Sequence, residues 1–100
     1  MPRDPFFSLI VRDRDDGSIV VEVAGELDVA TAPELERALA DVGGDVTVDL
    51  SGATFADPSG LHVLLSARAG GCRLRVVRRG GGPVARLLAL TDTDRLLTAP

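Results

Sequence analysis

The stretch Val46-Thr47-Val48-Asp49-Leu50-Ser51-Gly52-Ala53-Thr54-Phe55-Ala56-Asp57-Pro58-Ser59-Gly60-Leu61 decides how this chain folds. Val46, Val48 and Leu50 alternate with Thr47 and Asp49, the period of a half-buried strand. Ser51 to Thr54 read as a short polar turn. Asp57-Pro58-Ser59-Gly60 then reads as a helix start: aspartate as N-cap, proline in the first turn, small residues behind it. The helix continues to about Arg68, with Leu61, Leu64 and Leu65 expected toward the core, and Gly70-Gly71 stops it. A helix beginning at a sheet edge presents backbone N–H groups without intrahelical partners and the positive end of its dipole. A corner of this kind invites contact with another molecule.

Outward from that corner the pattern repeats. Residues 6–11 and 19–24 are apolar and β-rich, and the polar run Arg12 to Ser18 between them contains Asp16-Gly17, so they read as a β-hairpin. Gly25 to Ala30 reads as a connection. Thr31, with Pro33 and Glu34 behind it, has the spacing of a capping box. Leu35, Ala38, Leu39 and Val42 share one helical face, and Gly43-Gly44 ends that helix. Arg73 to Val77 alternates as a strand and Gly80-Gly81-Gly82 breaks the chain. Pro83 opens a third helix with Val84, Leu87 and Leu88 on one face, and Arg95-Leu96-Leu97 suggests a last short element. The order β-β-α-β-α-β-α gives a mixed sheet, because each helical crossover returns the next strand parallel and right-handed.

Composition narrows the function. One hundred residues, 45% of them hydrophobic, suit a single domain over residues 1–100 that buries roughly two-thirds of its unfolded surface. No run approaches the ~20 apolar residues of a membrane-spanning helix. Met1-Pro2-Arg3-Asp4-Pro5 lacks the basic-then-apolar order of a signal peptide, so a cytoplasmic protein is expected. Net charge is −4, yet residues 1–50 hold four arginines against twelve carboxylates and residues 51–100 seven against three. An acidic chain with three aromatic residues does not suit nucleic acid.

Enzymatic sites are not in view. The single histidine, His62, and single cysteine, Cys72, form no nucleophile–base pair or metal-ligand spacing, so no catalytic residue, metal or cofactor is expected. Glu26 and Asp28 lack an apolar pocket to tune them as an acid/base pair. Arg78-Arg79-Gly80-Gly81-Gly82-Pro83 precedes a helix but lacks the Gly-Lys-Ser/Thr ending of a phosphate-binding loop.

Five segments in register carry a family resemblance: Gly25-Glu26-Leu27-Asp28 with Thr31-Ala32; Val48-Asp49-Leu50-Ser51; Phe55-Ala56-Asp57; Ser59-Gly60-Leu61-His62-Val63-Leu64-Leu65; and Pro83 to Thr91. Together they resemble the sulphate transporter and anti-sigma-factor antagonist (STAS) domain over roughly residues 6–97. The resemblance implies a mixed four- to five-stranded sheet with an N-terminal hairpin and three to four helices mainly on one face. It implies a non-enzymatic antagonist that binds an anti-sigma factor with a GHKL-type kinase domain and so releases a sigma factor. The implied partner-binding residues are Glu26, Asp28, Asp57, Pro58, Ser59, Gly60 and His62, with Leu61 and Leu64 supporting them from the core.

Bacterial members of the family typically carry Asp-Ser-Ser-Gly-Leu at this corner, and the first serine is phosphorylated by the partner. This chain has Pro58 there. Three outcomes stay open: binding without a switch, phosphate on Ser59, or another hydroxyl. A one-residue shift turns a side chain by about 100° around a helix, which counts against Ser59. The same domain also serves as an adaptor subunit in stress-signalling complexes and in ABC-type lipid transporters, roles that need no acceptor serine. A monomer or weak dimer is expected.

Overall fold

A computed structural model describes residues 7–42, 44–78 and Arg86. The elements run β1 (Ser8–Asp13), β2 (Ile19–Leu27), α1 (Ala32–Ala40), β3 (Asp45–Ala56), α2 (Pro58–Ala69) and β4 (Arg73–Val77). The strands form one sheet in the order β1-β2-β3-β4, with β1 antiparallel to β2 and the other pairs parallel. The expected third helix from Pro83 (Val84, Leu87, Leu88), the element at Arg95-Leu96-Leu97 and most of the Arg78–Pro83 loop lie outside the described residues, as do Phe6 and Gly43.

Alternation places the core. Val21, Val48 and Val76 stand in one row across the sheet, and Ile19, Val46 and Leu74 in the next. Leu35 and Leu39 of α1 and Leu61, Val63 and Leu64 of α2 join these side chains in one buried cluster. Both helices therefore lie on one face of the sheet. Each such side chain, fully buried, contributes about 1.5–3 kcal/mol. Helices this short depend on that packing to exist. Val63 is buried and, with Leu39, lines the seam between the helices, whereas Leu65, expected inside, is only half-buried. Two neighbours, the sheet and α1, thus cover α2 on adjoining sides.

Two expectations are corrected. Gly25 to Leu27 is strand, not connection, and Ser51 to Thr54 is strand, not turn: β2 and β3 pair as far as Leu27 and Ala56. The pairing slips twice. Leu50 and Ser51 together oppose Val23, and Thr54 has no opposite residue between the pairs Gly25–Ala53 and Glu26–Phe55. These β-bulges break the two-residue period that reveals a strand in sequence. Asp49 stabilises the first, its Oδ1 accepting from the Ser51 N–H at 2.9 Å. Gly25 has φ of +91°, a conformation that disfavours any residue with a Cβ, so its glycine serves the strand's irregularity.

Candidate functional site: the α2 corner

The end of β2 and the start of α2 meet at Leu27. The Leu27 carbonyl accepts from the Asp57 N–H at 3.1 Å, and the Leu27 side chain is 1% exposed. A Cβ added at Gly60 would lie 2.6 Å from Leu27 Cγ and 2.7 Å from its Cδ2. Only a residue without a side chain lets the first turn of α2 settle this closely on β2. Gly60 is therefore buried and structural, beneath a corner that presents exposed Pro58 and half-buried Ser59.

Asp57 is the N-cap, as its sequence context predicts. Its backbone is extended, and its Oδ1 accepts from the Ser59 N–H at 2.9 Å and the Gly60 N–H at 3.4 Å. Two of the helix's otherwise unpaired donors are satisfied, and a carboxylate stands at the positive dipole end. Pro58 fits because its missing N–H is one that the helix could not have used.

The start of α1 differs from expectation. Thr31 occupies the N-cap position but makes no side-chain cap to the helix. Its hydroxyl instead donates to the Glu26 carbonyl at 2.8 Å and accepts from the Asp28 N–H at 2.9 Å. Asp28 supplies the cap-like carboxylate, Oδ1 accepting from the N–H groups of Ala30 at 3.0 Å and Thr31 at 3.1 Å. The capping box with Glu34 is replaced because β2 runs on to Leu27, which brings the Glu26 carbonyl within reach of Thr31. Thr31, 3% exposed, thereby ties Asp28 to the end of β2.

The predicted residues differ in exposure. Glu26, Pro58 and His62 are exposed, Asp28, Asp57 and Ser59 half-buried, and Gly60 buried. His62 Nε2 stands 3.4 Å from Ser66 Oγ one turn on, so the ring lies along the outer face of α2. Two apolar residues outside the predicted set belong to the same segments: Val29, 72% exposed, follows Asp28, and Phe55, 46% exposed, pairs in register with Glu26. A valine between two turn residues was the available signal for the first. Phe55 could be recognised only once β3 was known to reach Ala56.

Two hollows lie elsewhere. One of about 430 Å³ between the C-terminal halves of α1 and α2, and one of about 590 Å³ beside Arg14, Arg73 and Arg75, sit at the far end of β3 and β4 and contain none of the predicted site residues. Cys72 borders both, and burial, then Asp45, pushes its thiol pKa up, away from thiolate chemistry. Among the described residues no helix is long and apolar enough to cross a membrane.

Among the described residues these features define an α/β protein with a mixed four-stranded sheet and, away from both of these hollows, a capped helix corner. Comparison with known proteins agrees. The family model described as "Mlab, STAS domain" matches residues 10–98. The crystal structure of an anti-sigma factor antagonist from Mycobacterium paratuberculosis is 34% identical, covering 94% of this chain and 86% of that one, with a TM-score of 0.79. An antisigma-factor antagonist STAS domain from Rhodobacter sphaeroides is 25% identical over 73% of this chain and 87% of that one, with a TM-score of 0.58. A Thermotoga maritima protein, 21% identical over 90% of this chain and 83% of its own, shares the fold with a TM-score of 0.71. No curated protein matches the chain significantly. The chain belongs to the STAS domain family.

Proposed function

We propose that this protein is a non-enzymatic anti-sigma factor antagonist, a single cytoplasmic domain over residues 1–100 that regulates transcription by binding an anti-sigma factor and releasing a sigma factor. The observation that carries the reading is the α2 corner itself, in a chain 34% identical to an anti-sigma factor antagonist. Gly60 lets α2 sit down on Leu27, Asp57 fixes its first turn, and Pro58 and Ser59 leave little bulk to hold a partner off. Glu26 and Asp28 provide carboxylates for basic residues of the partner, and His62 extends the surface along the helix. In this reading the partner is an anti-sigma factor with a GHKL-type kinase domain.

Pro58 changes the regulation. Phosphate at a helix start adds about two negative charges and blocks a close interface, and each ~1.4 kcal/mol so lost weakens binding tenfold. Proline has no hydroxyl to accept it. Binding at this corner is thus independent of phosphorylation at position 58, and Ser59 is the one hydroxyl in the first turn. Pro58 also favours a second reading, the adaptor subunit of a stress-signalling complex or an ABC-type lipid transporter, which requires no acceptor.

Native and intact mass spectrometry of the protein mixed with the anti-sigma kinases of its own genome and ATP tests the proposal. A complex without added mass is the expected result. Phosphate mapped to Ser59 would show that the switch has moved one residue. Neither complex nor phosphate with any kinase would sink the proposal, and co-purification with an ATP-binding cassette protein would establish the adaptor.

A further inference from the structure

β1 is an edge strand, and its chemistry is self-complementary. Ser8–Asp13 pairs with β2 on one side, and among the described residues no strand lies on the other. Leu9 and Val11 stand opposite Val23 and Val21 on the helix-bearing face, and Ile10 opposite Glu22 on the other. Yet Ile10 is 46% and Val11 50% exposed.

The backbone has a definite phase. The Arg14 N–H donates to the Ser18 carbonyl at 2.9 Å, where the hairpin closes just beyond the pair Asp13–Ile19. Hydrogen-bonded pairs alternate along an antiparallel ladder. Arg12 and Ile10, two and four residues before Arg14, therefore turn their N–H and C=O groups to β2. Leu9, Val11 and Asp13 turn theirs outward, to the open edge.

Unpaired rows of this kind are templates for another strand, and proteins usually blunt them with charge. Here the charges collect at one end, Arg12 and Asp13, while Phe7, Leu9, Ile10 and Val11 fill the other. We propose that the β1 edge is a homodimer interface. Two copies of Ser8–Asp13 pair antiparallel about a two-fold axis at Ile10, joining both sheets into one continuous sheet.

Sequence and phase select this register. A two-fold axis normal to the sheet keeps each face on its own side, so it must pass through a residue position. Axes at Ile10 or Val11 give the longest overlap of two six-residue strands. With the axis at Ile10, Ile10 faces its own counterpart. Leu9 then faces Val11 of the second copy in an outward hydrogen-bonded pair, and Ser8 faces Arg12. An axis at Val11 would set Ile10 against Arg12 and Leu9 against Asp13. The Ile10 register alone covers both exposed apolar side chains with apolar ones, pairings that stabilise sheets. One strand from each copy is a small interface, so the dimer is weak. It leaves the α2 corner of each copy uncovered, the two facing opposite ways along the strands.

Sedimentation velocity of the full chain up to about 1 mM, where a Kd of that order still shows, should reveal a concentration-dependent dimer. Val11→Pro deletes one outward N–H and none that β2 uses. It should weaken the dimer at least tenfold while far-UV circular dichroism still reports a folded chain. If that variant unfolds, Ile10→Lys sets like charges together on the axis and should give the same loss. Ile10→Cys in a Cys72→Ser background should oxidise to a disulfide-linked dimer far more readily than Val11→Cys, because directly opposed non-hydrogen-bonded residues lie about 4.5 Å apart at Cα. A chain monomeric at about 1 mM, or cross-linking at Val11 in place of Ile10, would overturn the proposal.

Discussion

The two helix starts solve one problem in two ways. At α2, Asp57 caps the helix it immediately precedes, Oδ1 receiving the N–H groups of Ser59 and Gly60. At α1, Asp28 receives the N–H groups of Ala30 and Thr31 ahead of the helix, and the Thr31 hydroxyl turns back to Glu26. In both an aspartate carboxylate takes up two backbone donors, and both loops converge on Leu27. The difference is reach. The α2 cap is local to four residues, whereas the α1 start depends on where β2 ends.

Substitutions at the shared centre should have the largest effect. Leu27→Ala removes a fully buried side chain beneath both loops and should cost about 2–5 kcal/mol in chemical denaturation. Gly60→Ala should cost about 1–3 kcal/mol, since its Cβ meets Leu27 where no room exists. The two should be far from additive, because shortening Leu27 makes space for the new methyl group. Additive losses would mean that the two residues are not in the contact that joins the loops.

Thr31→Val comes next. It keeps the shape of a buried side chain but removes the hydroxyl that serves Glu26 and Asp28, an expected loss of about 1–3 kcal/mol by equilibrium unfolding. Thr31→Ser should recover most of it. A valine variant as stable as the parent would return Thr31 to the role of an ordinary helix start. The smallest effects belong to the carboxylates: Asp57→Ala and Asp28→Ala should each cost about 0.5–2 kcal/mol, read from the same unfolding curves. If only Asp57→Ala destabilises, the likeness between the two starts is superficial.

What could be read from residues follows the same division. The α2 start was legible because aspartate, proline, serine and glycine act on their immediate neighbours. The rows Val21–Val48–Val76 and Ile19–Val46–Leu74 were legible because alternation survives in the lower half of the sheet. The upper half was not. Two bulges in β3 disguise Ser51–Thr54 as a turn, and the positive φ of Gly25 disguises a strand residue as a loop residue. The first left Phe55 out of the predicted site, and the second hid the Glu26 carbonyl that takes the Thr31 hydroxyl. Gly60 reads in sequence only as a small residue of the helix start, while its actual constraint, Leu27, lies on β2. Long-range contacts of this kind leave no periodic trace.

The central claim is that the corner built on Leu27 is the partner-binding surface and works without a hydroxyl at position 58. The most direct test is calorimetric titration of the anti-sigma kinase with the parent protein and with Ser59→Glu, both verified as folded by circular dichroism. The account predicts that the parent binds with no phosphate added, and that a charged, longer side chain on the first turn weakens binding tenfold or more. Equal affinity for parent and variant would remove this corner from the interface.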